Sequence, residues 1–254
     1  MNPTLMSIVI IVCAVGGAHL GMAVRKKLPE HHLNGDTKEV VKLGAGLIAT
    51  LTALVLGLLV SSAKDTLDTM NRELTQDGAK IILLDRNLAN YGQETKEIRD
   101  HLRNHLADTL KLLWHEEVPD SAALKKAEDS HPLEKFQTGL RALSPRSDAQ
   151  RQLQSQALQL SHELAQSRWL LIETTQRELP HAFLVVLLLW LTILYVCYGL
   201  ISPRNGTVRV VYFISALSIA GAVFLILEMS TPLSGIIKVS SAPLQKALTL
   251  VGKY

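Results

Sequence analysis

Few residues of this chain are spaced for bond-making chemistry. The best set is in "EIRDHLRNH", where Glu97, His101 and His105 recur every four residues and so share one face of a helix. Zinc accepts carboxylate and imidazole ligands, but only where a third and a fourth donor converge. The competing reading, adopted here, is an exposed face on which Glu97 pairs with His101 and Arg99 with neighbouring acids. His31 and His32, adjacent in a loop, are read in the same way. The chain contains no phosphate-binding loop, nucleophile elbow or zincin motif. Cys13 and Cys197 both fall inside apolar runs and read as packing residues rather than a disulfide or metal pair. No catalytic residue, metal or cofactor is expected, and an enzyme is the weakest of three functional classes considered.

Two ionisable groups stand in or beside apolar runs. His19 lies near the basic end of the first, and Glu228 closes the last. A carboxylate at the centre of a bilayer costs about 2.5–3.5 kcal/mol on insertion scales. Ser230, Thr231 and Pro232 follow Glu228 directly. Glu228 is therefore either an anchor in the headgroup layer or an intramembrane charge with a pore or partner role.

The elements that carry these residues are set by hydropathy. Four runs are nearly free of charge: Thr4–Val24, Leu43–Ser62, Ala182–Ile201 and Val210–Leu227. Each is about 18–21 residues, enough to cross the ~30 Å hydrocarbon core of a bilayer as a helix. The expectation is an all-α integral membrane protein with four transmembrane helices. The first run has no basic residues before it and has Arg25, Lys26 and Lys27 after it, so it reads as a retained span rather than a signal peptide. "SPRNGTV" is a turn by composition, which makes the last two spans an antiparallel hairpin. The net charge of +3 hides an asymmetry. Residues 63–179 hold 16 basic and 19 acidic residues, and the surplus positive charge lies beside the spans, where anionic headgroups attract it. No basic stripe interleaved with aromatics points to nucleic acid.

The long polar segment, 63–181, reads as helical. Leu67, Met70, Leu74, Ile81, Leu84, Leu88 and Tyr91 draw a narrow apolar seam with one gap at Asp77, and Gly92 caps or bends that helix. Ile98, Leu102, Leu106, Leu110 and Leu113 mark a second helix. A polar stretch, Val118–His131, and a short helix, Leu133–Leu143, follow. Leu153, Ala157, Leu160, Leu164, Leu171, Thr175 and Leu179 then form a stripe running into Pro180, which kinks this helix or starts the third span. The expected plan is a second span that extends outward as a long helix and another long helix that returns into the third. The divisions are 1–62, 63–181 and 182–254, the last including an amphipathic tail. Two long helices with apolar seams need the shorter helices, and then sister subunits, to cover them. That favours a homo-oligomer.

The second run is the most informative. In "LGAGLIATLTALVLGLLVSSAKD", Gly46, Thr50, Ala53, Gly57 and Ser61 fall within an arc of about 80° at 100° per residue. Ile48, Leu51, Val55, Leu58 and Leu59 lie mainly opposite. A small-residue face permits close helix packing, with Gly46 and Ala53 as the contact points. The same face could edge a water-filled axis, and both readings hold together in a ring of subunits. Basic residues do not decide sidedness: seven lie near the spans on each side.

The stretch "HHLNGDTKEVVKLGAGLIATLTALVLGLLVSSAKDTLDTMNRE", followed by "LLDRNLANYGQETKEIRDHLR" and, at the tail, by "STPLSGIIKVSSAPLQKAL", resembles the bestrophin-like domain family of bacterial membrane proteins. That family is distantly similar to the bestrophins, homopentameric ion channels with four transmembrane helices and a large cytosolic helical part. "LVLGLLVSSAKD" is similar to the stretch that ends the bestrophin neck, with Gly57 matching a neck glycine. The resemblance implies neck-facing positions at Thr50, Leu54 and Leu58; joined to the small-residue face, the pore-edging set is Thr50, Leu54, Gly57, Leu58 and Ser61. Aromatic neck residues are absent, and Thr66, Leu67 and Asp68 stand where an Arg-Trp-Trp usually follows. It further implies a bacterial inner-membrane protein with the long segment in the cytoplasm, a pentamer in the lipid bilayer conducting inorganic ions. The alternative function is a membrane-anchored helical sensor or scaffold without transport activity.

Overall fold

The structure, a computed structural model, describes residues 2–29, 34–114, 132–176, 181–203, 205–233 and 235–253, with all their side chains except those of 113, 132, 133, 172–176 and 181. His31, His32, Val118–His131, Leu179 and Pro180 lie outside these residues, as do the side chains of Leu113 and Thr175. The described residues form eight α-helices and no strand: α1 (Pro3–Lys27), α2 (Gly35–Tyr91), α3 (Lys96–Trp114), α4 (Pro132–Ala142), α5 (Asp148–Gln176), α6 (His181–Ile201), α7 (Gly206–Met229) and α8 (Ala242–Leu250). Four of them, α1, α2, α6 and α7, are long and apolar enough to cross a membrane. The chain divides into two compact units, Met1–Asp65 with Glu178–Ser230, and Thr66–Arg177 with Thr231–Tyr254.

In the first unit α1 packs along α6 and α7. Asn2 opens α1 by accepting from the Thr4 amide (3.1 Å), Pro3 occupies the first turn, and Arg25, Lys26 and Lys27 fill the last, where cations suit the C-terminal end of the dipole. Ile10, Leu184, Leu187, Leu191, Ala220, Val223 and Leu227 make the core, with Val55 and Leu56 of α2 packed against it. The α6–α7 hairpin is real: Asn205 caps α7 through the Val208 amide (3.0 Å), Tyr195 Oη bonds Ser215 Oγ (2.9 Å), and Tyr212 Oη donates to the Tyr198 carbonyl (2.9 Å). The hydroxyls of Ser7, Thr50, Thr52, Thr192 and Ser218 each bond the carbonyl four residues earlier in their own helix. That satisfies them without water, as hydrocarbon requires.

Glycines let α1 and α6 approach backbone to backbone. A Cβ on Gly21 would overlap the Val196 carbonyl oxygen, and one on Gly199 would overlap the Ala18 carbonyl oxygen. On Gly17 it would stand 3.0 Å from the Thr192 carbonyl oxygen. All of these contacts are with backbone, which cannot rotate away. We expect Gly21→Ala or Gly199→Ala to separate α1 from α6 and cost about 1–3 kcal/mol, as overpacking does. Gly46→Ala and Gly57→Ala, where no atom lies within 4 Å, should cost the subunit far less. Thermal denaturation of the purified variants in detergent measures the difference, and equal losses at all four sites would contradict it.

The second unit is built on the α2 seam. Met70, Leu74, Ile81, Leu84 and Leu88 pack with Leu102, Leu106 and Leu110 of α3, Leu140 of α4, Ala157 of α5, and Val239, Leu244, Ala247 and Val251 of the tail. Burying each large side chain here stabilises by about 1.5–3 kcal/mol. Gly92 ends α2 in the left-handed region (φ 138°), and a short 3-10 turn, Gln93–Thr95, leads into α3. Thr95 Oγ1 donates to the Leu88 carbonyl, and Gln150 Nε2 to that of Tyr91 (2.9 Å), covering acceptors that the helix end exposes. The tail packs into this unit. Trp114 Nε1 donates to the Val239 carbonyl (2.9 Å), and at Gly78 an added Cβ would lie 2.9 Å from the Pro243 carbonyl oxygen.

One buried ion pair joins three segments. Asp85, 2% exposed, accepts from Arg99 Nε (2.8 Å) and Nη2 (3.0 Å) and also from the Gly252 amide (3.2 Å). α2, α3 and the tail therefore share one carboxylate. Removing a single partner of such a pair strands the other charge. Asp85→Ala should lower the unfolding free energy of this unit by about 3–5 kcal/mol, and Asp85→Asn by less. Chemical denaturation followed by Trp114 and Trp169 fluorescence reads this out. A loss below about 1 kcal/mol would mean that water already screens the pair.

Candidate functional site

The residues singled out on the second span lie on one side of α2, and among the described residues that side is exposed. The first unit buries Ala45 and Thr52, with Ile48, Ala49, Val55, Leu56 and Leu59 half-buried beside them. At 100° per residue these positions centre on Thr52. Gly46, Thr50, Ala53, Gly57 and Ser61 lie roughly opposite and are all exposed. Leu54 (61% exposed) and Leu58 (63%) flank them on the same outer side.

Gly46, Ala53 and Gly57 are thus not contact points within the subunit. Gly46 and Gly57 have open space where a side chain would project, and Ala53 is exposed. Gly17, Gly21 and Gly199, by contrast, lie where α1 and α6 meet backbone to backbone. The four-residue interval from Gly17 to Gly21 was the local signal for it. Leu51 is 41% exposed, whereas Val55 and Leu59 are half-buried.

Glu228, 5% exposed, is buried near the end of α7 and engaged in an interaction of its own. It does not share the exposed face of α2. Along "EIRDHLRNH", Glu97 and His101 are exposed, while His105 is half-buried. Burial, and then the neighbouring Arg168 charge, hold the His105 imidazole below the ordinary histidine range. Among the described residues no group of three or more His, Cys, Asp or Glu side chains is placed to hold a metal ion. Cys13 and Cys197 are free thiols.

An all-α chain with four helices of membrane-crossing length, three of them bundled in one unit, fits a multi-pass membrane protein. It belongs to the bestrophin-like domain family, which matches residues 12–244. Its fold is similar to that of a mutant bacterial bestrophin homolog from Klebsiella pneumoniae seen in a crystal structure. The TM-score is 0.65 over 96% of this chain and 97% of that one, at 13% sequence identity. No curated protein matches the chain in sequence.

Water on the outer face of α2 is measurable. With Cys13 and Cys197 changed to Ala, single substitutions Thr50→Cys, Leu54→Cys, Gly57→Cys, Leu58→Cys and Ser61→Cys should react with a membrane-impermeant thiol reagent, because reaction needs thiolate and thiolate needs water. Ala45→Cys and Thr52→Cys, buried in the subunit, should stay silent. Silence at all seven positions would make the outer face a dry interface or a lipid-facing surface.

Proposed function

We propose that the chain is one subunit of a homo-oligomeric ion channel, a pentamer, that conducts inorganic ions passively along an axis edged by α2. One observation carries this reading: α2 buries the face centred on Thr52 in its own subunit and turns Thr50, Leu54, Gly57, Leu58 and Ser61 outward. A span with an uncovered stripe of small and hydroxylated residues suits a symmetric ring, where Gly46 and Ala53 allow neighbouring helices to approach and Thr50 and Ser61 offer hydroxyls to a lumen. Leu54 and Leu58 form the hydrophobic constriction, and conduction through it depends on wetting. Family membership and the similar fold of the bestrophin homolog support the same reading. In this arrangement α2 continues from the bilayer into a cytoplasmic helical domain, α5 returns toward the third span, and the bilayer is a bacterial inner membrane.

The alternative, a membrane-anchored sensor or scaffold without transport, draws on the second unit having its own apolar core. Flux separates the two. Purified protein in liposomes should release a salt gradient, and particle imaging should show a closed ring with an axial hole. Leu54→Asp or Leu58→Asp should change conductance about tenfold or more, since a carboxylate ~4 Å from a passing ion acts on it with about 4 kcal/mol at an effective dielectric of 20. Absence of flux in the parent and in both variants, or a monomer in images, would leave the sensor or scaffold.

A further inference from the structure

The gap in the α2 seam is a buried acid. Asp77 is 7% exposed and lies between Leu74 and Ile81 in the apolar row. Its Oδ2 accepts a hydrogen bond from Ser167 Oγ of α5 (2.7 Å), while Oδ1 is buried with no hydrogen-bond partner. An ionised carboxylate in such a place ordinarily has a cation against it. Among the described residues no cation is seated against it. Lys80, one turn along α2, is held by Glu163 of α5 at 3.3 Å. Glu73, one turn before, is a second acid. Arg168, next to Ser167, acts on His105 of α3. On α8 the charged residue is Lys246, which is exposed, and the part of α8 that meets α2 beside Asp77 is the Pro243 backbone at Gly78.

We propose that Asp77 is a buried proton-binding site whose ionisation loosens the pairing of α2 with α5 in the second unit. A proton on Oδ1 removes the charge from an oxygen that no donor reaches, and it leaves the Ser167 bond to Oδ2 in place. Loss of that proton puts a charge into the apolar seam, one turn from Glu73, with only the Glu163-held Lys80 to offset it. The direction follows from burial, which raises the Asp77 carboxyl above its ordinary value of 3.8, against smaller opposing effects of Ser167 and Lys80. Glu73 is raised as well, by burial and then by Asp77. An acid whose pKa is higher in the folded than in the unfolded chain binds more protons when folded. Its contribution is therefore complete at low pH and is lost as pH rises through the folded value. The inference stands apart from ion conduction.

The test is amide hydrogen exchange of α5 residues 156–171 in the full-length protein in detergent, corrected for intrinsic rates, from about pH 5 to about pH 8.5. Protection should fall with rising pH by up to about tenfold per pH unit below the folded Asp77 midpoint, the slope of one proton, and level off above it. Asp77→Asn should keep the Ser167 bond and abolish that dependence. Flat protection in the parent protein or an unchanged slope in Asp77→Asn would overturn the proposal.

Discussion

The structure depends on one uninterrupted backbone ladder, that of α2. Residues 35–91 contain no proline, and the helix holds 57 residues. An α-helix satisfies its interior N–H and C=O groups internally, so its backbone is admissible in hydrocarbon and in water alike. What changes along the chain is the demand on its side chains. Over residues 43–62 they are aliphatic, small or hydroxylated, with every charge excluded; from Lys64 onward charges return and the apolar residues contract to a seam. Gly44, Gly46, Gly57 and Gly78 lower the intrinsic helix propensity of this element. Its persistence rests on tertiary contacts instead, through Thr52 and its neighbours in one unit and through Met70 to Leu88 in the other.

Small residues serve two separate purposes in the first unit, and sequence alone does not separate them. Gly17, Gly21 and Gly199 sit where two backbones meet, and no side chain would fit. Gly46 and Gly57 sit in open space. Gly17 with Gly21, and Gly46 with Thr50, both show the four-residue spacing that lets helices approach in lipid. The difference is one of azimuth relative to the rest of the subunit, which periodicity cannot supply. The four spans and the α6–α7 hairpin were legible because run length and the Asn205–Gly206 turn are local signals. So were most of the seam residues of α2, and the stop at Gly92.

What sequence did not reveal are the polar groups that join segments distant in the chain. Asp85 and Arg99 are fourteen residues apart and the amide of Gly252 is far beyond both, so nothing local marks them as one cluster. Asp77 was visible only as an interruption, since its partner Ser167 is ninety residues away. The α5 stripe was only partly legible: Ala157, Ser161 and Ser167 are its buried positions, while Leu153, Leu160, Leu164 and Leu171 are half-buried. A pattern read from hydrophobicity favours the leucines, whereas an antiparallel partner at close range favours small side chains. The tail is a related case. Its short apolar pattern fits a membrane surface as well as a soluble core, and Val239, Leu244, Ala247 and Val251 are found in the core of the second unit.

The outer face of α2 is not uniform, and that constrains what covers it. The leucines at 43, 47, 54 and 58 form one exposed row, and the small residues at 46, 50, 53, 57 and 61 form the row beside it. Lipid tails fill space around either row but draw no specific contact from glycine, threonine or serine. A facing helix gains most from the small row, where backbones approach and dispersion contacts multiply. A row of leucines next to it gains most where it meets other leucines or closes a dry constriction. Two adjacent rows with different optimal neighbours argue against a helix bathed on its whole outer side by lipid. They suit a helix wedged between a copy of itself and a narrow axial space, and the hydroxyl of Thr50, bonded back to Gly46, is tolerated in either setting.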